Sequence, residues 1–244
     1  AMKRSNLTIY TDAPVKRILI ENGSAIGVEL IDGKKITAKC EVILSAGAII
    51  SPKILMLSGI GDPVEITPHK IEMKHTLVGV GKNLQDHAAV WAAMKTISRT
   101  PWGFSWPKLP YFAIEAFKYL LTQKGWFSAQ LIESGGFVKS DPTLDRPDVQ
   151  FVFMPGQRVP PPKIIDYGHG YSAVAVLLRP KSRGTITLKS ANPNDTPIID
   201  PQFYSKEPDL DILLWGLKEC RRIIHGDVFN KYQPTETNPG QAIQ

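Results

Sequence analysis

The stretch that most limits the fold of this chain joins an apolar strand to a helix through small residues. Val42-Ile43-Leu44 is an unbroken apolar run, which is typical of a strand covered on both faces, so we predict a buried strand over Glu41–Ser45. Ala46-Gly47 follows as a turn with little side chain. Ser51-Pro52 is predicted to open a helix, because Ser is a good N-cap and Pro suits the first helical position, and Gly59 to end it. This order predicts a unit in which strand and helix alternate.

Before this stretch, the sequence predicts a three-stranded antiparallel meander over Val15–Glu21, Ala25–Ile31 and Lys34–Ala38. Asn22-Gly23 separates the first two strands and is the strongest two-residue hairpin signal, since both central residues of such a turn need positive φ. The alternation of apolar and polar residues implies one buried face. A further short strand is predicted over Asn6–Thr11.

The remaining sequence mixes strands with two long helices. We predict strands over Val149–Met154, Tyr171–Leu178 and Thr185–Lys189, and helices over Tyr111–Thr122 and Pro208–Ile224. In the last of these helices, Leu210, Leu213, Leu217 and Cys220 share one face. The tail from Gln233 is polar, contains Pro and Gly, and is predicted to fray.

Composition excludes several classes of protein. The 244 residues are 43% hydrophobic and 21% charged, which is ordinary for a globular protein, and no apolar run has the roughly 20 residues that span a bilayer. The formal charge is +6, but the basic residues are scattered, so we predict a solvated surface and no nucleic-acid partner. Cys40 and Cys220 lack the spacing of a disulfide framework or metal site. We predict no metal, and we interpret both cysteines as small core residues.

Four segments could belong to a site, and each has a plain structural alternative. Ser45-Ala46-Gly47-Ala48 would let a cofactor or another backbone approach closely, or it is a tight packing corner between strand and helix. Val78–His87 offers several donors and acceptors to a polar ligand, or it is a hydrogen-bonded surface loop. Glu133 beside two glycines could hold a cation or hydroxyl, or be a solvated carboxylate at a turn. His169 is predicted to lie on a loop, where a histidine without a visible partner is generally exposed.

Together these segments resemble the glucose–methanol–choline (GMC) oxidoreductases. Gly47–Gly61 is similar to the second signature of that family almost position for position, and Val78–His87 is similar to its VGxNLQDH segment. Leu178–Thr185 resembles the start of the family's C-terminal module. Glu133–Phe137 matches a substrate-domain segment of bacterial alcohol and choline dehydrogenases. The resemblance follows the family order over nearly the whole chain.

The resemblance implies an α+β fold and a division of labour along the chain. Residues 1–92 would form part of an FAD-binding α/β domain, residues 93–205 a substrate-binding domain with an antiparallel sheet, and residues 206–244 a helix and tail leading back to the FAD domain. The family's GxGxxG unit would precede Asn6. Its catalytic histidine would lie beyond Gln244, so no catalytic residue is expected here. The missing N- and C-terminal parts of the same enzyme are therefore expected partners.

The resemblance also implies a set of site residues. The cofactor-binding positions would be Val15, Ala46, Gly47, Asn83, Asp86 and His87. The substrate cavity would be faced by Glu133, Phe151 and Phe153.

The implied activity is oxidation of the CH–OH group of an alcohol by hydride transfer to FAD, with oxygen or a quinone or dye as electron acceptor. A rival interpretation is a non-catalytic module that binds a small molecule or a partner. Other activities of the family are hydroxynitrile lyase and light-driven fatty-acid decarboxylase. The decarboxylase carries an arginine in the strand matching Gln150–Phe153 and a cysteine near Ile132, and Val152 and Ile132 stand here instead. We therefore rank decarboxylation below alcohol oxidation.

Overall fold

A computed structural model describes residues 2–128, 132, 134–156 and 167–240 of the chain. The α-helices are α1 (Gly47–Leu57), α2 (Pro63–Ile66), α3 (Leu109–Thr122) and α4 (Glu207–Ile224). The strands are β1 (Val15–Glu21), β2 (Ser24–Leu30), β3 (Lys35–Thr37), β4 (Ile60–Gly61), β5 (His75–Thr76), β6 (Ala89–Thr96), β7 (Gly103–Phe104), β8 (Ser134–Val138), β9 (Val149–Met154), β10 (Gly168–Leu177), β11 (Thr185–Thr187), β12 (Ile198–Asp200) and β13 (Pro234–Asn238). None of the helices among these described residues is long and apolar enough to cross a membrane.

The chain divides into two compact units. The first unit contains residues 1–86 and 182–205, and the second contains residues 87–181 and 206–244. The division differs from the domain bounds expected at residues 92 and 205, because residues 182–205 return to the first unit and α4 packs within the second. The assignment of one unit to cofactor and the other to substrate stays a prediction.

The first unit is built on an antiparallel sheet in the order β1-β2-β3, with α1 packed against β1. The predicted meander is confirmed. Asn22 and Gly23 take φ values of 49° and 76°, as the hairpin turn between β1 and β2 requires. A small core forms between α1, β11 and the neighbouring loops around the fully buried Met56 and Ile66.

The second unit is an antiparallel sheet covered by a helix. Its strands follow the order β13-β6-β10-β9-β8, with β7 paired to β10. The helix α4 packs on β10, β6 and β9. The core between them includes Tyr171, Met94, Cys220 and Ile224, all at most 1% exposed. The mixture of helices and antiparallel sheets confirms the α+β fold class.

Several predicted elements are wrong in informative ways. Residues 6–11 form no strand, and neither does Glu41–Ser45, since no described strand offers it a hydrogen-bonding partner and Ile43 is 77% exposed. The helix α1 begins at Gly47 rather than after Ser51, and Pro52 lies inside it. Gly47 has φ of +85°, which lets the chain turn directly into the helix.

Residues 234–238 of the polar tail form a strand, β13, where the sequence predicted fraying. β13 pairs with β6, and Asn238 donates from Nδ2 to the Trp91 carbonyl at 2.7 Å. Glu236 is buried, and its carboxylate lies 2.7 Å from Nε2 of His225 and 3.3 Å from Nε of Arg221 on α4. These contacts replace the apolar pattern that would have signalled the strand.

The two cysteines differ. Cys220 is buried in the core, as predicted, and burial raises the pKa of its thiol to about 12. Cys40 is exposed, so its interpretation as a core residue is wrong. It follows β3, the edge strand of the meander, in a stretch that is mostly exposed.

Candidate functional site

The N-terminus of α1 is open. Ala46 occupies the N-cap position, and no side chain among the described residues caps the helix there. A Cβ placed on Gly47 would meet nothing within 4 Å. The first backbone N–H groups of an 11-residue helix are therefore presented beside empty space, an arrangement that favours negatively charged groups.

A glycine-containing loop beside β11 is held rigidly. Gly81 has φ of +77°, and a Cβ on it would collide with the Ile186 carbonyl. The Ile186 N–H donates to the Gly81 carbonyl at 2.7 Å. Leu84 and Gly184 exchange two backbone hydrogen bonds of 3.0 and 2.8 Å. The glycine is required because the loop backbone touches the strand backbone directly.

The first turns of α1 and this loop enclose a cleft of about 350 Å³. Its lining comprises Ala48, Pro52, Gly81, Lys82, Asn83, Leu84, Gln85 and Ile186. The cleft thus brings together the helix start next to Gly47 and the predicted residue Asn83. Asn83 is exposed and has φ of 63°, a conformation that Asn tolerates better than most residues. Val15 does not line this cleft.

Val15 lies at the start of β1, where it pairs with Leu30 and is half-buried. Ser58, just after α1, ties that helix to the same strand. Its Oγ accepts a hydrogen bond of 2.8 Å from the Ile18 N–H and donates one of 2.6 Å to the Ile54 carbonyl. Val15 and Gly47 are therefore carried by elements that are joined.

A second cleft in the first unit involves the segment that was predicted to be a buried strand. Val42 and Leu44 line a cleft of about 420 Å³ together with Ile18 and Ile20 of β1. Ile43, between them, is 77% exposed. The segment therefore alternates like a strand even though it has no ladder partner among the described residues.

Three other predicted positions complete the set. Asp86 and His87 are both exposed, and the boundary between the two units falls between them. Glu133 lies outside the described residues.

The two phenylalanines predicted to face the substrate cavity point toward α4. Phe151 lies 6.0 Å from the Trp215 ring, and Phe153 stacks on Tyr171 and Phe229 at 6.0 and 5.7 Å between ring centroids. Their assignment to the substrate cavity stays a prediction, and the pleat of β9 sets which residues share their face. Side chains alternate across a strand, so Gln150, Val152 and Met154 lie on the opposite face of the sheet from these phenylalanines.

His169 is a buried residue that sequence reasoning placed on an exposed loop. It belongs to β10 and is 3% exposed. Its Nε2 lies 2.9 Å from Ser105 Oγ, and its Nδ1 lies 2.9 Å from the Pro101 carbonyl. Since a carbonyl only accepts, Nδ1 carries the proton and Ser105 donates to Nε2. Burial lowers the pKa of His169, which keeps it neutral. The only sequence signal was the alternating β10 pattern, which the flanking glycines obscured.

Comparison with known proteins decides the family. Two models described as GMC oxidoreductase match this chain, one over residues 1–89 and the other over residues 180–243. Together they cover more than half of it. The chain belongs to the GMC oxidoreductase family.

Named relatives agree with this assignment. The GMC chain is 41% identical over 245 residues to an alcohol dehydrogenase [acceptor] of Pseudomonas putida, a match that covers 98% of this chain and 44% of the relative. It is 32% identical over 259 residues to human mitochondrial choline dehydrogenase, covering 100% of this chain and 41% of the relative. The chain therefore spans less than half the length of these GMC relatives.

A solved structure shows the same fold. A formate oxidase from Aspergillus oryzae superposes with a TM-score of 0.83 at 25% identity, covering 98% of this GMC chain and 47% of that one. That structure concerns the effect of a mutation on FAD modification in the formate oxidase. Both units of the present chain thus follow a known GMC architecture.

Proposed function

We propose that this chain forms one wall of the FAD site in an enzyme that oxidises the CH–OH group of an alcohol. The single observation that carries the proposal is the uncapped N-terminus of α1, which opens on a cleft shared with Asn83. The names of the Pseudomonas putida and human relatives, alcohol dehydrogenase and choline dehydrogenase, support the reaction class.

The residues present fit a dinucleotide cofactor. Gly47 leaves open the space that a Cβ would fill, so a ligand could approach the helix backbone closely. The free N–H groups suit a phosphate or ribose oxygen. Asn83 and Gln85 add amide donors and acceptors on the other side of the cleft. No side chain in the lining carries a negative charge, and Lys82, which is part of the lining, pairs with Glu65 at 2.9 Å.

Each residue then has a limited task. Ala46 and Gly47 would admit the adenosine end of FAD, and Asn83, Asp86 and His87 would lie along the segment that covers the cofactor. Val15 would contribute its backbone rather than its side chain. The bound flavin supplies the hydride acceptor. The residues of this chain would bind and orient it.

For the substrate side, the sheet of the second unit supports a revised assignment. One face carries α4, so we assign the other face of β9, with Gln150 and Val152, to the substrate cavity in place of Phe151 and Phe153. Glu133 keeps its proposed place in that cavity. The apolar Val152 suits an apolar part of the alcohol.

The test compares two glycines in the full-length protein. Gly47 and Gly33 both have positive φ, 85° and 89°, and open space around a Cβ. Gly47→Ala and Gly33→Ala therefore carry similar backbone strain. We expect Gly47→Ala to lose at least about tenfold in FAD affinity, because about 1.4 kcal/mol of lost contact has that effect, whereas Gly33→Ala retains FAD.

Each variant is first dialysed to remove bound flavin and then titrated with FAD. Flavin absorbance near 450 nm measures the FAD that binds. Equal FAD affinity in the two variants would overturn the assignment of the α1 N-terminus. A full-length protein that folds but takes up no flavin would favour a non-catalytic binding module instead.

A further inference from the structure

The helix α3 presents a continuous apolar surface to solvent. Its exposed side chains include Leu109, Ile114, Phe117, Leu120 and Leu121, with exposures of 48%, 64%, 64%, 72% and 69%. At about 100° per residue, these five positions share an arc of about 140° on one side of the helix. An exposed apolar stripe of this kind marks an interaction surface.

The opposite side of α3 packs against other residues of the second unit, and these contacts keep the apolar stripe on the outer side of the helix. Glu115 is 7% exposed and accepts a hydrogen bond from the Trp126 N–H at 3.2 Å. Phe112 packs edge-on against Trp126 and Trp102, and these two indoles stack with centroids 4.9 Å apart. The Trp102 N–H donates to the Pro155 carbonyl at 2.7 Å, next to β9.

The charged residues in the sequence around α3 are mostly basic. Between residues 97 and 128 the basic residues are Arg99, Lys108, Lys118 and Lys124, and the only acidic residue is Glu115. That glutamate is buried under the helix, where Lys118 pairs with it at 3.4 Å. Arg99 and Lys124 are exposed. The surface offered to a partner is therefore apolar in the middle and basic at its edge.

Exposed aromatic residues stand at both ends of the stripe. Trp106, just before α3, is 68% exposed, and Phe127, just after it, is 45% exposed. Tryptophan is favoured where an apolar region meets water, because the ring is apolar and its N–H is polar.

We infer that α3 docks this protein on the surface of a bilayer that contains anionic phospholipid. A helix with a wide apolar face, basic residues along its edges and aromatic residues at its ends lies in the plane of the membrane interface, with the apolar face among the acyl chains. The basic residues attract the anionic headgroups. The helix rests on the surface and does not span the bilayer, in agreement with its 14 residues.

The same charges argue against a second copy as the occupant. A two-fold contact through α3 would bring the basic residues at the edges of both copies, including Lys118 and Lys124, into one interface. No exposed carboxylate in residues 97–128 could neutralise them. An anionic surface satisfies both the apolar stripe and its basic edge.

Cosedimentation of the full-length protein with vesicles tests the inference. We expect binding to vesicles of phosphatidylcholine mixed with phosphatidylglycerol, weak binding to phosphatidylcholine alone, and loss of binding as salt screens the charges. Leu120→Glu should weaken binding by roughly tenfold or more, because it removes an apolar side chain that would be buried in the bilayer and adds a negative charge. Lys124→Glu should weaken it by about tenfold through charge alone.

The matched control is Leu214→Glu, which changes another exposed leucine, 53% exposed, on the helix α4. It should leave vesicle binding unchanged. Equal loss in Leu120→Glu and Leu214→Glu, or no binding to either vesicle type, would overturn the inference.

Thermal unfolding and sedimentation velocity without lipid provide the second readout. Leu120→Glu should leave the unfolding temperature and the oligomeric state unchanged. A fall in either would show that the stripe is covered by protein, and would overturn membrane docking. Flavin absorbance of each variant separates this result from a failure of the proposed FAD site, since α3 contributes nothing to that site.

Discussion

The core between the sheet and α4 of the second unit and the region around the start of α1 in the first unit differ in how well their apolar side chains are covered. In the second unit, Met94, Tyr171 and Ala175 are at most 1% exposed between the sheet and α4. In the first unit, Ile43, Ile50 and Val78 remain 77%, 41% and 63% exposed around the start of α1. The second unit closes its core with its own residues, whereas the first leaves an apolar edge open beside its clefts. Large exposed apolar patches indicate binding sites, so the open edge is the side on which we expect cofactor or further chain to pack.

The strongest test of this contrast is at the centre of the second unit. Tyr171 is 1% exposed, stacks on Phe229 with centroids 4.5 Å apart, and donates from its hydroxyl to the Ile224 carbonyl at 3.1 Å. Tyr171→Ala should lower the free energy of unfolding of the full-length protein by about 3–5 kcal/mol, because it leaves a large cavity. Urea unfolding followed by circular dichroism measures this.

Tyr171→Phe separates packing from hydrogen bonding. It keeps the ring stack and removes the hydroxyl, so the expected loss is only about 1 kcal/mol. Burial raises the pKa of Tyr171 to about 12, so this comparison holds at any ordinary pH. A loss in Tyr171→Ala no greater than in Tyr171→Phe would show that the core of the second unit is not closed in the way described.

A pH dependence should come from the second unit through His169. Its pKa is lowered from 6.5, chiefly by burial, with Lys108 and Arg99 lowering it further. The unfolded chain therefore binds a proton near pH 6.5 that the folded chain does not. Stability should be complete above pH 6.5 and should fall as the pH decreases from there toward the lowered folded pKa.

His169→Gln removes this titration. The variant should be less stable than the parent at about pH 8, because the hydrogen bonds of His169 to Ser105 and Pro101 are disturbed. Between about pH 7 and pH 5, on either side of the unfolded pKa, the stability of the variant should change less than that of the parent. Parallel urea titrations at several pH values provide the measurement. Identical pH slopes in the two proteins would rule out His169 as the source.

The contrast between the units also explains what the sequence could and could not predict. The β1–β2 hairpin was predictable because Asn22-Gly23 is a local signal, and local signals do not depend on distant partners. The strand over Glu41–Ser45 was not, because its apolar run indicates burial by partners that the described residues do not supply. β13 was missed for the opposite reason. Its polar residues are stabilised by cross-strand contacts, such as Asn238 to Trp91, which leave no periodic trace in the sequence.

The candidate site divides in the same way. Gly47 and Asn83 lie at turns whose residue types carry a backbone requirement, so a motif identifies them directly. The packing of Phe151 and Phe153 toward α4 could not be read from the sequence, because both faces of β9 are apolar apart from Gln150. Only the packing of α4 tells the two faces apart.

The smallest change in the free energy of unfolding should come from a substitution at the open edge of the first unit. A buried position in the same unit provides the comparison. Ile43 is 77% exposed, whereas Ile66 is fully buried. In the chain of residues 1–244, Ile43→Ser should change the free energy of unfolding by less than about 0.5 kcal/mol, as surface substitutions do. Ile66→Ser should cost several-fold more, because it leaves a cavity and buries a hydroxyl. If further chain or cofactor packs on this edge in the full-length protein, Ile43→Ser should become costly there while the loss at Ile66 stays the same. Equal small effects of Ile43→Ser in both contexts would mean that the edge is an ordinary solvated surface, and the difference between the two units would then carry no functional meaning.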